Sequence, residues 1–184
     1  MPGATTRSLV QALETSGWLV GVVCLTSLVG FLVPAVQLLG IRPRTWVGLW
    51  GVGFGPLLHG NLQHLLANML PLYLLLVLLF WDKHYHPDRT LAVIWLVGGL
   101  GTWAIGRAGS VHLGASSVVF GLVTYLVAAG FLMRSWRSAF MALLVFVFYG
   151  GVLYGVLPQR GPVSWEGHLC GALAGLGAAY FQHT

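Results

Sequence analysis

Residues 61–81 read NLQHLLANMLPLYLLLVLLFW, an apolar run that contains no Asp, Glu, Lys or Arg. A stretch of roughly 18 or more such residues is long enough to cross the ~30 Å hydrocarbon core of a bilayer as a helix. Backbone groups in lipid must be satisfied within their own segment, so the expected form is helix and not strand. The same run carries His64 and Asn68 near its start. They lie four residues apart and so stand one above the other on a single helix face.

Five more apolar segments extend outward from this one. They cover residues 18–39, 91–105, a stretch from Gly114 to Met133, 138–157 and 163–181. Of the 184 residues, 57% are hydrophobic and only 7% charged. A soluble domain carries about 25% charged residues, so a water-facing surface cannot be assembled from this composition. The expected fold is an all-α membrane protein, a bundle of six transmembrane helices forming a single domain over residues 1–184, in direct contact with the lipid bilayer. The first apolar run is long for a secretory signal and ends without a clear small-residue cleavage site, which reads as a retained span.

The formal net charge of +5 comes from nine Lys and Arg scattered singly between apolar runs. No basic stripe is formed, so a nucleic-acid partner is not expected. With six spans, Arg7, Lys83, Arg89, Arg134 and Arg137 share one side with both termini, and Arg42, Arg44, Arg107 and Arg160 share the other. That slight bias favours cytoplasmic termini. Cys24 and Cys170 both fall inside apolar segments and read as small buried hydrophobes. Residues 40–60 place Trp46, Trp50 and Phe54 among glycines, a composition suited to the headgroup region or a partial dip into the membrane.

Polar residues within spans are expensive, and they mark candidate sites. Three groups stand out: His59-Gly60 with His64 and Asn68; His112-Leu113-Gly114-Ala115-Ser116-Ser117; and Glu166-Gly167-His168-Leu169-Cys170-Gly171. They occupy the starts of the second, fourth and sixth segments. Those three segments run in one direction, so their starts emerge at one leaflet and can share a cavity. Gly167, Gly171 and Gly175 recur every four residues, a spacing that lets helix backbones approach closely. A serine beside a histidine makes an activated nucleophile. An N–H at the start of the helix bearing Ser116, with side-chain donors on His64 and Asn68, could stabilise an oxyanion.

These motifs resemble those of the rhomboid family of intramembrane proteases. The family's His-Gly-x-x-x-His-x-x-x-Asn pattern is similar to His59, Gly60, His64 and Asn68. Its Gly-x-Ser matches Gly114, Ala115 and Ser116, and its His-x-x-Gly matches His168 and Gly171. The resemblance implies a catalytic dyad of Ser116 and His168 without an acidic third member. It implies an oxyanion and substrate-binding site at His64, Asn68 and the Ser116 backbone, and transmembrane protein substrates. It implies neither cofactor nor metal. The implied activity is that of a serine-type endopeptidase; with the charge bias above, its expected place is the plasma (inner) membrane of a prokaryote, with its site toward the non-cytoplasmic face. Two positions depart from the family pattern. Ser117 stands where glycine is usual, and Phe120 stands where tyrosine often stacks on the histidine; phenylalanine keeps the ring and loses the hydroxyl.

Simpler roles compete for each residue. Serine is a common helix cap, and Asn68 could be an interhelical hydrogen-bonding residue. His59 reads as a structural tie for the preceding loop, and His112 as a loop residue near the cavity mouth. Glu166 is two residues from His168 and does not share its helix face. Asp82, His84, His86 and Asp88 resemble metal ligands but sit at the other end of the bundle, where a solvated loop is the plainer reading. The rival functions are a catalytically inactive rhomboid-like protein binding transmembrane partners, and a small transporter or proton channel. The first would be expected to lack the serine or the histidine. The second would need polar groups through the full bilayer depth, and the far halves of these segments offer mainly Tyr73, Thr124 and Tyr125. No His-Glu-x-x-His motif of a zinc protease occurs.

Overall fold

The computed structural model describes residues 8–159, 161 and 163–184. Arg7 and Arg160, which enter the charge comparison above, lie outside the described residues. Seven α-helices are formed among the described residues: α1 (Leu9–Leu32), α2 (Trp46–Phe54), α3 (Leu62–Trp81), α4 (Pro87–Ile105), α5 (Ser116–Leu132), α6 (Trp136–Tyr149) and α7 (Trp165–His183). Three segments, Leu9–Leu32, Leu62–Trp81 and Trp136–Val156, are long and apolar enough to cross a membrane; α5 is a shorter apolar helix.

Helix ends differ from the sequence reading where capping chemistry overrides hydropathy. Helix α1 starts well before Trp18 because Ser8 and Gln11 form a capping box, each side chain bonded to the other's backbone N–H. It ends at Leu32 because Pro34 cannot continue it, and a 3₁₀ turn, Pro34–Leu39, follows. Asn61 caps α3 by accepting the His64 N–H at 2.8 Å. Residues 40–60 include a helix of their own, α2. Trp95 and Trp103 of α4 fasten it by donating to the carbonyls of Val52 (3.0 Å) and Thr45 (2.8 Å). Arg44 closes the α4 C-terminus by donating to the carbonyls of Ala104 and Gly106, both at 2.9 Å. Trp46 and Trp50 remain exposed.

Helix α5 is the axis of the bundle. Every residue from Val118 to Leu126 is buried, and α3, α4, α6 and α7 all pack against it. Its closest partner is α7. A side chain at Gly171 would run into the Ser117 carbonyl, and one at Gly175 into the Gly121 carbonyl. Thr124 crosses the same seam, donating to the Ala172 carbonyl at 2.8 Å. Gly98 of α4 lies against the Gly171 Cα from the other side. The four-residue glycine spacing thus packs α7 between α4 and α5.

At the far end Tyr125 of α5 and Thr90 of α4 both donate to the Tyr85 carbonyl, at 2.7 and 2.8 Å. His84 pairs with Asp82 at 2.9 Å. Among the described residues no group of three His, Cys, Asp or Glu is gathered to hold a metal ion. Both cysteines are free, Cys170 buried and Cys24 half-buried.

The seam can be tested by overpacking. Gly171→Val should destabilise the bundle by about 1–3 kcal/mol, at the upper end because the obstacle is a backbone carbonyl. Gly177→Ala, with open space around it, should not. Reversible unfolding in mixed detergent micelles measures both.

Candidate active site

Helix α5 begins at Ser116 and α7 begins three residues before His168, so both side chains sit at helix starts at the same end of the bundle. The α5–α7 seam brings them together: His168 Nε2 and Ser116 Oγ are 3.0 Å apart. The other ring nitrogen, Nδ1, lies 3.0 Å from the Gly155 carbonyl oxygen. A carbonyl can only accept, so Nδ1 carries the proton. Nε2 is therefore left as a lone pair facing the Ser116 hydroxyl. That is the tautomer a general base requires.

The imidazole plane is fixed as well. Phe120, one turn after Ser116, stacks on His168 with ring centroids 4.1 Å apart and planes 10° from parallel. Gly155 closes the sandwich, since a Cβ there would come within 2.6 Å of Phe120 Cζ. Ser117 lies beside Ser116, and among the described residues no hydrogen bond joins it to His168. Its carbonyl is the group that meets Gly171.

His64 lies over the residue before the serine turn. Gly114 has φ +115°, a backbone conformation that favours glycine, and a Cβ there would sit 2.6 Å from His64 Cε1. The glycine of the Gly-x-Ser motif is thus required twice, by its backbone angle and by the imidazole resting on it. The N–H groups around the turn are apportioned: Gly114 donates to the Gly55 carbonyl at 3.0 Å and Ala115 to His59 Nε2 at 3.3 Å. The Ser116 N–H, in the first turn of α5, has no partner among the described residues. Asn68 is buried, and its amide donates to the His64 carbonyl at 2.8 Å. Asn68 is thus tied to the His64 turn rather than to Ser116.

His59 is fully buried and acts as a strut. Its Nδ1–H donates to Ser27 Oγ at 2.9 Å, Ser27 in turn donates to the Leu57 carbonyl at 3.0 Å, and Nε2 accepts from Ala115. It therefore joins α1, the loop before α3 and the start of α5. Burial, with the His64 ring beside it, pushes the His59 imidazole down from its ordinary 6.5 to about 4. Glu166 pairs with Arg107 at 2.8 Å.

Three contacts have no sequence signature: the Gly155 carbonyl, the Arg107–Glu166 pair and the bonding of His112, a loop residue that lines the cleft beside Ser116 and is buried there. A carbonyl acceptor leaves no mark on residue type, and Gly155 falls in the tail of an apolar segment.

A membrane-type helical bundle with a serine–histidine pair beside a free helix-start N–H defines the class. A family model for the rhomboid domain matches residues 47–184, and the chain belongs to the rhomboid family. It is 46% identical over 149 residues to an uncharacterized protein of Mycobacterium tuberculosis (strain ATCC 25618 / H37Rv), an alignment covering 77% of this chain and 62% of that protein. It is 42% identical over 150 residues to an uncharacterized protein of Mycobacterium leprae (strain TN), covering 77% and 59%. It is 31% identical over 124 residues to a protein named as a rhomboid in Acanthamoeba polyphaga mimivirus, covering 64% and 66%. The match thus spans about three-fifths of the length of the mycobacterial relatives.

The neutral His59 strut makes stability depend on pH. An imidazole whose folded pKa is lowered to about 4 stabilises the fold fully above 6.5, and that contribution is lost as pH falls from 6.5 toward 4. Thermal unfolding in detergent should show a falling midpoint across this window. His59→Gln, which cannot titrate, should flatten part of that slope.

Proposed function

We propose that the chain is an intramembrane serine endopeptidase that cleaves transmembrane segments of other proteins. Six spans would carry it through the plasma membrane of a prokaryote, α1 and α3 to α7, with α2 lying at the membrane surface. The Ser116–His168 end would face the non-cytoplasmic side. The observation that carries this reading is the tautomer of His168: Nδ1–H on the Gly155 carbonyl and Nε2 free toward Ser116 Oγ.

Ser116 Oγ attacks the scissile carbonyl carbon as its proton passes to His168 Nε2. The carbonyl oxygen becomes an oxyanion, held by the Ser116 N–H at the positive start of α5, by the His64 ring, and by the second N–H of the Asn68 amide, whose first is spent on the His64 carbonyl. His168 returns the proton to the leaving amine, the C–N bond breaks, and an ester remains on Ser116. Water then attacks the ester, giving its proton to Nε2, and His168 reprotonates Ser116 as the carboxylic acid leaves. No acidic residue is needed, because the Gly155 carbonyl and the Phe120 ring already hold the imidazole.

A serine-directed mechanism-based probe should label the detergent-solubilised chain covalently. Labelling should vanish in Ser116→Ala and in His168→Ala and persist in Ser117→Ala. Loss in Ser117→Ala with retention in Ser116→Ala would name the wrong nucleophile. No labelling of any variant, with no cleavage of a panel of transmembrane substrates, would favour a non-catalytic binder of transmembrane partners.

Asn68 can be tested separately. Loss of one oxyanion donor typically slows the chemical step roughly 10²–10³-fold. Asn68→Ala should therefore lower turnover by about that factor while remaining folded and above the Ser116→Ala background. Wild-type turnover would remove it from the oxyanion site.

A further inference from the structure

A second hydroxyl–imidazole pair stands at the same end of the bundle. His112, on the loop between α4 and α5, is 5% exposed, and its Nδ1 is in hydrogen-bond contact with the hydroxyl of Ser164, the residue preceding α7. Its Nε2 is 2.8 Å from Ser110 Oγ. Ser110 spends its own proton on the Arg107 carbonyl at 2.6 Å, so toward His112 it can only accept. Nε2 must carry the ring proton, and Nδ1 must accept the proton of Ser164. The hydrogen bonds thus run in one direction, from Ser164 through His112 and Ser110 to the Arg107 carbonyl. Burial lowers the pKa of the ring and so favours its neutral form, with Glu166 acting to raise it and Arg107 to lower it.

This chain joins the two halves of the proposed site. The His112 backbone pairs with Ile41 in both directions, at 3.0 and 2.9 Å, which fixes the loop that leads four residues later to Ser116. The Ser164 carbonyl accepts the His168 N–H at 3.1 Å and so closes the helical turn that carries the imidazole. Ser164 does not cap α7 with its side chain in the usual way, because its hydroxyl is turned to His112. Ser164, His112, Ser116, Ser117 and Gly167 line one small cleft. Arg107 braces the same segment, donating to the Gly161 and Val163 carbonyls at 3.0 and 2.6 Å.

We propose that His112 and Ser164 are positioning residues that couple the loop bearing Ser116 to the first turn of α7 and so hold His168 Nε2 in register with the Ser116 hydroxyl. The proposal rests on the reading of Ser116 and His168 as a dyad. It does not make Ser164 a nucleophile: its role is to hold one helix start against the other. A shift of the α7 start by about 1 Å is enough to cost a reaction rate up to roughly a hundredfold.

Two readouts on the detergent-solubilised full chain test it. In ¹⁵N-histidine NMR, His112 should appear as the Nε2–H tautomer and His168 as the Nδ1–H tautomer. Ser164→Ala should move the His168 signals as well as those of His112, recorded well below the unfolding midpoint of the variant. In labelling kinetics with the serine-directed probe, His112→Ala and Ser164→Ala should each slow modification of Ser116 by about ten- to a hundredfold. The double variant should be no slower than the slower single one, because the two act as a unit. His112→Gln, which retains a donor and an acceptor, should recover most of the loss, and turnover of a cleaved substrate should fall in kcat rather than rise in KM. Wild-type labelling in His112→Ala, additive losses in the double variant, or His112→Gln as slow as His112→Ala would overturn the proposal. So would labelling that persists in Ser116→Ala and depends on Ser164. If the wild type does not label at all, the dyad reading fails, and the response of His168 to Ser164→Ala still decides the coupling. Where His112→Ala does not fold, Ser164→Ala and His112→Gln carry the test.

Discussion

The site depends on how closely α7 can approach α5. Gly171 meets the Ser117 carbonyl and Gly175 the Gly121 carbonyl with no room for a β-carbon. Lipid supplies no hydrophobic force between helices, so close packing and interhelical hydrogen bonds must hold such a seam. Thr124 adds one to the Ala172 carbonyl. The Ser117 carbonyl belongs to the residue after Ser116, and Gly171 is one turn after His168. A backbone contact with no room for a β-carbon therefore lies beside the serine–histidine pair, and backbone packed against backbone holds the two helix starts together.

Around that seam the polar groups at the helix starts are placed by chains of single-direction hydrogen bonds. The Gly155 carbonyl dictates the tautomer of His168, Ser27 and Ala115 dictate that of His59, and Ser110 dictates that of His112. In each case a group that can play only one role settles the ambiguous imidazole. Such networks cost little when every member is satisfied and a great deal when one is not, which is why these histidines are each bonded at both nitrogens. His64 is different. Its ring rests on Gly114 and on the edge of His59, with centroids 4.9 Å apart, and this places it beside the serine turn.

Much of this arrangement is legible in the residue order. Ser116, His168 and His64 fall at starts of parallel segments, and the four-residue glycine spacing announces the seam that joins two of them. The interfacial composition of residues 40–60 is also visible, though not the helix α2 within it, whose register is set by Trp95 and Trp103 reaching across from α4 and by Arg44 reaching back to the end of α4. The start of α1 at Leu9 is hidden from a hydropathy reading because Glu14 interrupts the apolar run, while the Ser8–Gln11 capping box sustains the helix. The His112–Ser164 bond joins residues 52 apart, and Gly155 acts through a carbonyl that every residue possesses. Neither periodicity nor residue type can report contacts of that kind.

In the proposed site, the absence of an acidic third member follows from the same economy. A carboxylate beside an imidazole at a bilayer-embedded helix start would carry a desolvation penalty of several kcal/mol unless fully compensated. Glu166, the nearest carboxylate in sequence, is 1% exposed, and its charge is matched by Arg107, at the positive start of α7 where a negative charge is favoured. Turned instead toward His168, it would leave the Arg107 charge without its buried carboxylate partner. A backbone carbonyl orients the ring through a dipole with no net charge, and Phe120 fixes its plane without competing for its protons. In a proposed hydrolase embedded in lipid, the Gly155 carbonyl therefore takes the orienting task that a soluble triad gives to its aspartate. Gly155 sets the tautomer, and the acidic side chain serves the fold by tying α7 to the loop that delivers Ser116.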